Sequence, residues 1–126
     1  MKTLITSEDA PPAVGPYSPG LAVGEWIFLS GQGGFDPNTG KMISDDIAEQ
    51  TEQTFRNMEV LLQAAGASLD DVVSCLVHVT DLSQYATFNA IYETKFTGTK
   101  PVRTTVRADL VAGMLVEITA VARASK

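Results

Sequence analysis

The sequence predicts an α+β domain, a mixed sheet with two helices packed on one face. Two observations predict it. Short Val- and Thr-rich runs with period-two alternation lie toward both ends of the chain, and two stretches between them carry helical periodicity. The resulting order, β-β-β-α-β-α-β-β, separates the helices from the hairpins. At 126 residues the chain suits one domain, 1–126, and is long enough to bury a core without a disulfide or metal staple.

Lys2 to Ser7 reads as a short first strand. Ala10 to Gly20 holds four prolines, so this loop is rigid without regular structure. Tyr17 within it is either a packed anchor or the wall of a binding site. Leu21–Gly24 and Trp26–Gly31 read as two strands joined by a tight Gly24-Glu25 turn. The second ends in Ser30-Gly31-Gln32-Gly33-Gly34, where glycines permit either close approach to a ligand or a simple bend. No phosphate-binding loop is present. Asp36-Pro37-Asn38-Thr39-Gly40 is a turn.

The spacing predicts a long helix over Asp46–Ala65, with Ile47, Thr51, Phe55, Met58, Leu62 and Ala65 on its inner face, joined by Thr54 and Leu61. Ser44 or Asp45 can cap it and Gly66 can end it. Glu49, Glu52, Arg56 and Glu59 face outward, with Glu52 and Arg56 spaced as a helical ion pair. Val72–Thr80 is a strand with Val73, Cys75, Val77 and Val79 on one face. His78, the one histidine, lies on the other and reads as a half-exposed strand residue. Cys75 reads as inert core. Leu82–Phe96 is a second helix, with Phe88, Ile91, Tyr92 and Phe96 as its apolar stripe and Asn89 beside it.

Pro101–Arg107 is the next strand, with Arg103, Thr105 and Arg107 on one face and Val102, Thr104 and Val106 on the other. The last strand is Met114–Ala122, with Glu117 inside an apolar run. A hairpin turning near Val111 would put Glu117 roughly opposite Thr105 and next to Arg103. An arginine suits a substrate carboxylate through two parallel hydrogen bonds, and a carboxylate suits the orientation of water. The same two residues also read as a structural ion pair within a sheet.

A net charge of −6 disfavours a non-specific nucleic-acid binder. A single cysteine cannot form an internal disulfide and points to a reducing compartment. No apolar run suggests a signal peptide or a membrane span, and the reading is a cytoplasmic protein. Trp26, Phe28 and other apolar strand residues need cover, which suggests a subunit interface.

Several separated stretches together resemble the YjgF/RidA family of reactive intermediate deaminases. They are Gly15-Pro16-Tyr17-Ser18, Ser30-Gly31-Gln32, Asp36–Gly40, Ala64-Ala65-Gly66, Asp81-Leu82, Asn89-Ala90-Ile91-Tyr92, Pro101–Val106 and Val116-Glu117-Ile118. The resemblance runs in order from about Ala10 to Ala122. It implies a chorismate-mutase-like fold assembled as a homotrimer, with clefts between subunits, and hydrolysis of 2-imino and 2-enamino acids to 2-keto acids and ammonia without cofactor or metal. It implies that Arg103 holds the substrate carboxylate and Glu117 positions water. It also implies that Tyr17, Ser30, Gly31, Asn89 and Thr105 line the cleft, with Tyr17 and Arg103 contributed by neighbouring subunits. Two stretches depart from the family pattern, Gly33-Gly34 and Asp109–Gly113, and both bear on substrate range. The competing readings are a related deaminase acting on a substrate such as 2-aminomuconate, a non-catalytic 2-keto acid or carboxylate-binding protein, and an endoribonuclease, which the charge disfavours.

Overall fold

The computed structural model describes residues 1–124. Six strands form one sheet: β1 (Thr3–Ile5), β2 (Gly20–Val23), β3 (Trp26–Leu29), β4 (Val72–Val79), β5 (Val102–Arg107) and β6 (Val116–Arg123). Their spatial order is β1-β2-β3-β6-β4-β5, and every pair is antiparallel except β4 with β5. Helix α1 (Ile47–Ala64) and helix α2 (Tyr85–Tyr92) cover one face of the sheet. Among the described residues no helix is long and apolar enough to cross a membrane.

The final hairpin expected from the sequence does not form. β6 lies between β3 and β4, and β5 pairs with the far side of β4. Composition explains the arrangement. β6 buries every second residue from Val116 to Ala122, so it belongs in the middle of the sheet. β5 leaves Val102, Thr104, Val106 and Arg107 exposed and suits an edge. The parallel β4–β5 pair needs a crossover, and α2 supplies it.

Asp46, rather than Ser44 or Asp45, caps α1, its carboxylate accepting from the Glu49 N–H at 2.9 Å. Ser44 Oγ in turn accepts from the Asp46 N–H. Gly66, at φ 78°, takes the left-handed position just beyond the helix end. The predicted inner face of α1 is buried, with Ala65 only partly so. Glu52 pairs with Lys95 rather than with Arg56, whose Nε donates to Gln53 instead. The rings of Phe55, Tyr92 and Phe96 meet edge-on or tilted, with centroids 5.1–5.9 Å apart, locking α1 to α2.

α1 also buries Gln50, Gln53 and Asn57, which helical hydrophobicity did not mark. Gln50 and Asn57 stitch two loops to the helix, and Gln53 Nε2 donates to Asn57 Oδ1 at 2.9 Å. Gln50 Nε2 donates to the carbonyls of Ser44 and Gly113, and Gln50 Oε1 accepts from the Leu115 N–H at 2.8 Å. Asn57 Nδ2 donates to the carbonyls of Gly33 and Phe35, both at 2.9 Å. Gly34 must lie flat for this, since a Cβ there would fall 2.9 Å from Gln50 Cα. Gly33-Gly34 and the segment ending at Gly113, the two stretches expected to bear on substrate range, are thus neighbours tied through Gln50.

In β4 the register shifts between Val72 and Ser74, so Val72 turns inward and Val73 outward, opposite to strict alternation. Cys75, Val77 and Val79 remain under the helices as expected. The other face of the sheet is open and partly apolar, with Trp26 43%, Phe28 44% and Leu76 39% exposed.

Replacing Gln50 by leucine is expected to cost about 1–3 kcal/mol, because the Leu115 N–H and two carbonyls lose their partner. Urea denaturation of the variant beside wild type measures it; a change within 0.5 kcal/mol, the range of ordinary surface substitutions, would mean the loops hold without this residue.

Candidate functional site

The site residues predicted from sequence fall into two groups on opposite faces of the sheet. In β5, Arg103 pairs with Cys75 and Thr105 with Val77, both of which lie under the helices. Arg103 and Thr105 therefore point to the helix face, beneath α2. Glu117 pairs with His78 on the open face. The expectation that Arg103 and Glu117 face one pocket of the same chain is corrected: β4 stands between their strands, and their side chains leave opposite sides of the sheet.

The Arg103 guanidinium is held from several directions. Nη1 donates to Asn89 Oδ1 at 2.7 Å and Nη2 to Tyr85 Oη at 2.5 Å. Its carbon lies 4.6 Å from the centre of the Tyr92 ring and 5.6 Å from that of Tyr85. Asn89 and Tyr85 lie one helical turn apart on α2, so a single helix face supplies both acceptors. Two of the five guanidinium N–H groups are engaged, and the rest remain for a planar anion. A shallow hollow lined by Leu82, Tyr85, Arg103 and Thr105 opens beside it. Thr105 Oγ1 is buried there without a hydrogen-bond partner. Tyr85 was missed by sequence reasoning; its place one turn before Asn89 was the available signal.

Beneath Arg103, burial raises the Cys75 thiol above the usual cysteine range, although Tyr92 and Arg103 oppose the shift. Burial also drives the Tyr92 hydroxyl well above the usual tyrosine range, with Cys75 adding to the effect. Both groups stay protonated at neutral pH and hold no charge against the arginine.

The second group surrounds Glu117. The segment after β3 runs on alongside β6, where Gln32 and Ile118 exchange two backbone hydrogen bonds of 2.8 and 2.9 Å. This sets Gly31 directly over Glu117. A Cβ on Gly31 would lie 2.6 Å from both Cδ and Oε2 of the carboxylate, so glycine is required for the approach. Ser30 anchors the segment, its Oγ donating to the Ser18 carbonyl at 2.5 Å. Tyr17 is half exposed, and its hydroxyl accepts from the Val14 N–H. Tyr17, Gly31, Gln32, Gly33 and Phe35 share a small cavity with the proline-rich loop. Among the described residues no cluster of three His, Cys, Asp or Glu side chains is placed to hold a metal.

Residues 7–124 match the family model described as Endoribonuclease L-PSP. A RutC family protein of Pyrococcus horikoshii is 39% identical over 97% of this chain and 98% of its own length. The human 2-iminobutanoate/2-iminopropanoate deaminase is 37% identical over 97% of this chain and 90% of its own length. The crystal structure of RidA from an Antarctic Psychrobacter superposes with a TM-score of 0.92 at 38% identity, covering 96% of this chain and 98% of that one. The chain belongs to the YjgF/RidA family. Its sheet and paired helices are those of the Rid fold, as the ordered motifs implied.

Two outcomes test the two groups of residues. Gly31→Ala is expected to displace the Glu117 carboxylate while costing no more than about 1 kcal/mol of stability, since the clashing atoms end a flexible side chain; a crystal structure with Glu117 unmoved would refute the packing. The Cys75 thiol is expected to react with a disulfide reagent at least tenfold or so more slowly in the native protein than in urea near pH 8, because the thiolate is the reactive form; equal rates would show that the floor beneath Arg103 is open.

Proposed function

We propose that this Rid protein hydrolyses 2-imino acids, the tautomers of 2-enamino acids such as 2-aminoacrylate, to 2-keto acids and ammonia. The observation that carries the reading is the Arg103 fork, oriented by Asn89 and Tyr85 with donors to spare. The deaminase relatives support the reaction class, and their names give 2-iminobutanoate and 2-iminopropanoate as substrates of those proteins.

Arg103 anchors the substrate carboxylate through charge-assisted hydrogen bonds. Glu117 holds a water against the iminium carbon and takes its proton as the oxygen adds, turning a bimolecular attack into an oriented one. The resulting carbinolamine expels ammonia once its nitrogen is protonated, and the oxygen becomes the carbonyl of the keto acid. Substrate and water supply every atom, and no residue of the chain is covalently changed.

Arg103 and Glu117 leave opposite faces of one sheet, so a cleft holding both draws them from two copies of the chain. A homotrimer with three shared sites meets this requirement, and the exposed Trp26, Phe28 and Leu76 provide apolar surface for the contact. The same separation favours a second reading, a carboxylate-binding protein without turnover, in which Arg103 acts alone. Saturable pyruvate binding with no ammonia release would select it. The family model's description raises endoribonuclease activity, which the net charge of −6 opposes.

The first test is ammonia release from freshly generated 2-aminoacrylate. Arg103→Ala is expected to lower kcat/KM by about 10–100-fold, the worth of a charge-assisted contact, with Arg103→Lys recovering little because lysine lacks the planar fork. Wild-type rates in Arg103→Ala would end the assignment. Sharing of the site predicts that Arg103→Ala and Glu117→Gln chains, unfolded together in equal amounts and refolded, regain about a quarter of wild-type activity by random assortment. No recovery would place each site within one chain.

A further inference from the structure

Glu117 is not solitary on the open face. His78 is its cross-strand partner, with Nδ1 3.6 Å from Glu117 Oε1 and both side chains 25% exposed. That separation suits an ion pair and is slightly too long for a hydrogen bond. Nδ1 is nevertheless buried and has no hydrogen-bond partner. On the other neighbouring strand the residue paired with His78 is Val106, which is uncharged, so Glu117 is the charged group facing the imidazole across the sheet. The opposite oxygen of the carboxylate, Oε2, rests against Gly31.

These contacts leave the imidazole one favourable arrangement. A bare Nδ1 would aim a lone pair at a carboxylate oxygen, whereas an Nδ1–H would meet an acceptor and satisfy a buried atom otherwise left without one. We propose that His78 is a positioning residue for Glu117. Its Nδ1–H closes the short remaining distance onto Oε1, fixes the carboxylate rotamer, and leaves Oε2 beside Gly31 as the oxygen that holds the attacking water. The assignment of water to Glu117 is that of the proposed deaminase reaction, on which this role rests. The pairing itself does not depend on it.

The chain has one histidine, so its imidazole can be read without ambiguity. Long-range proton–nitrogen NMR spectra of uniformly labelled protein near neutral pH are expected to show Nδ1 protonated, with the signal moving in Glu117→Ala. An imidazole protonated only on Nε2 overturns the pairing. In kinetics, His78→Phe keeps the ring volume without the donor and is expected to lower kcat by roughly tenfold while KM changes by less than about twofold. His78→Asn puts an amide N–H close to where Nδ1 stood and is expected to restore most of the loss. Wild-type kcat in His78→Phe, or equal losses in both variants, overturns the positioning role. Because the spectra need no substrate, a wild-type protein without turnover would refute the deaminase reading while the spectrum still decides the pair.

Discussion

The parallel pairing of β4 with β5 is the constraint on which the rest of the site depends. A parallel neighbour cannot be reached by a tight turn, so the chain crosses over the sheet between them, and that crossing is α2. The crossing delivers Tyr85 and Asn89 directly above the edge strand that carries Arg103. The guanidinium therefore emerges into a ready frame of two acceptors and an aromatic face. The same pairing hands the other side of β4 to β6 and so moves Glu117 to the far surface.

Much of this was legible in the chain. The strands, both helices and the Gly24-Glu25 and Asp36–Gly40 turns follow from period and turn chemistry, and Gly24 and Gly40 adopt the left-handed backbone those turns demand. The ordered motifs led to the family and to its fold. Pairing partners were not legible, because β5 and β6 sit close in sequence and local pattern cannot say which strand slips between them. The burial gradient did hold a hint: β6 has the steadier apolar alternation, and β5 alternates valine with threonine and arginine.

Buried polar residues were the other gap. Helical periodicity left Gln50, Gln53 and Asn57 unassigned, yet Gln50 and Asn57 are spent on holding loop backbone outside sheet and helix, and Gln53 braces the Asn57 amide. Tyr85, and the contact of His78 with Glu117, escaped for a related reason. Each meets an atom distant in sequence, Arg103 in one case and Glu117 in the other, and the one local signal was the helical-turn spacing of Tyr85 and Asn89. Gly31 was marked as a candidate by its place at a strand end, though the feature that demands glycine, the carboxylate pressed against it, appears only once Gln32 is paired with Ile118.

The division of the site between two faces has an evolutionary side. Arg103 answers to α2 and the edge strand, and Glu117 answers to Gly31 and the neighbouring strands, so the two halves share few supporting residues. A lineage can edit one half while the other persists. Under the proposed reaction, drift around Glu117 would leave an anion receptor without the chemistry, a short route from catalyst to sensor. Drift beneath α2 would instead retain the Glu117 surface and free it, under the same reading, to meet molecules that carry no carboxylate.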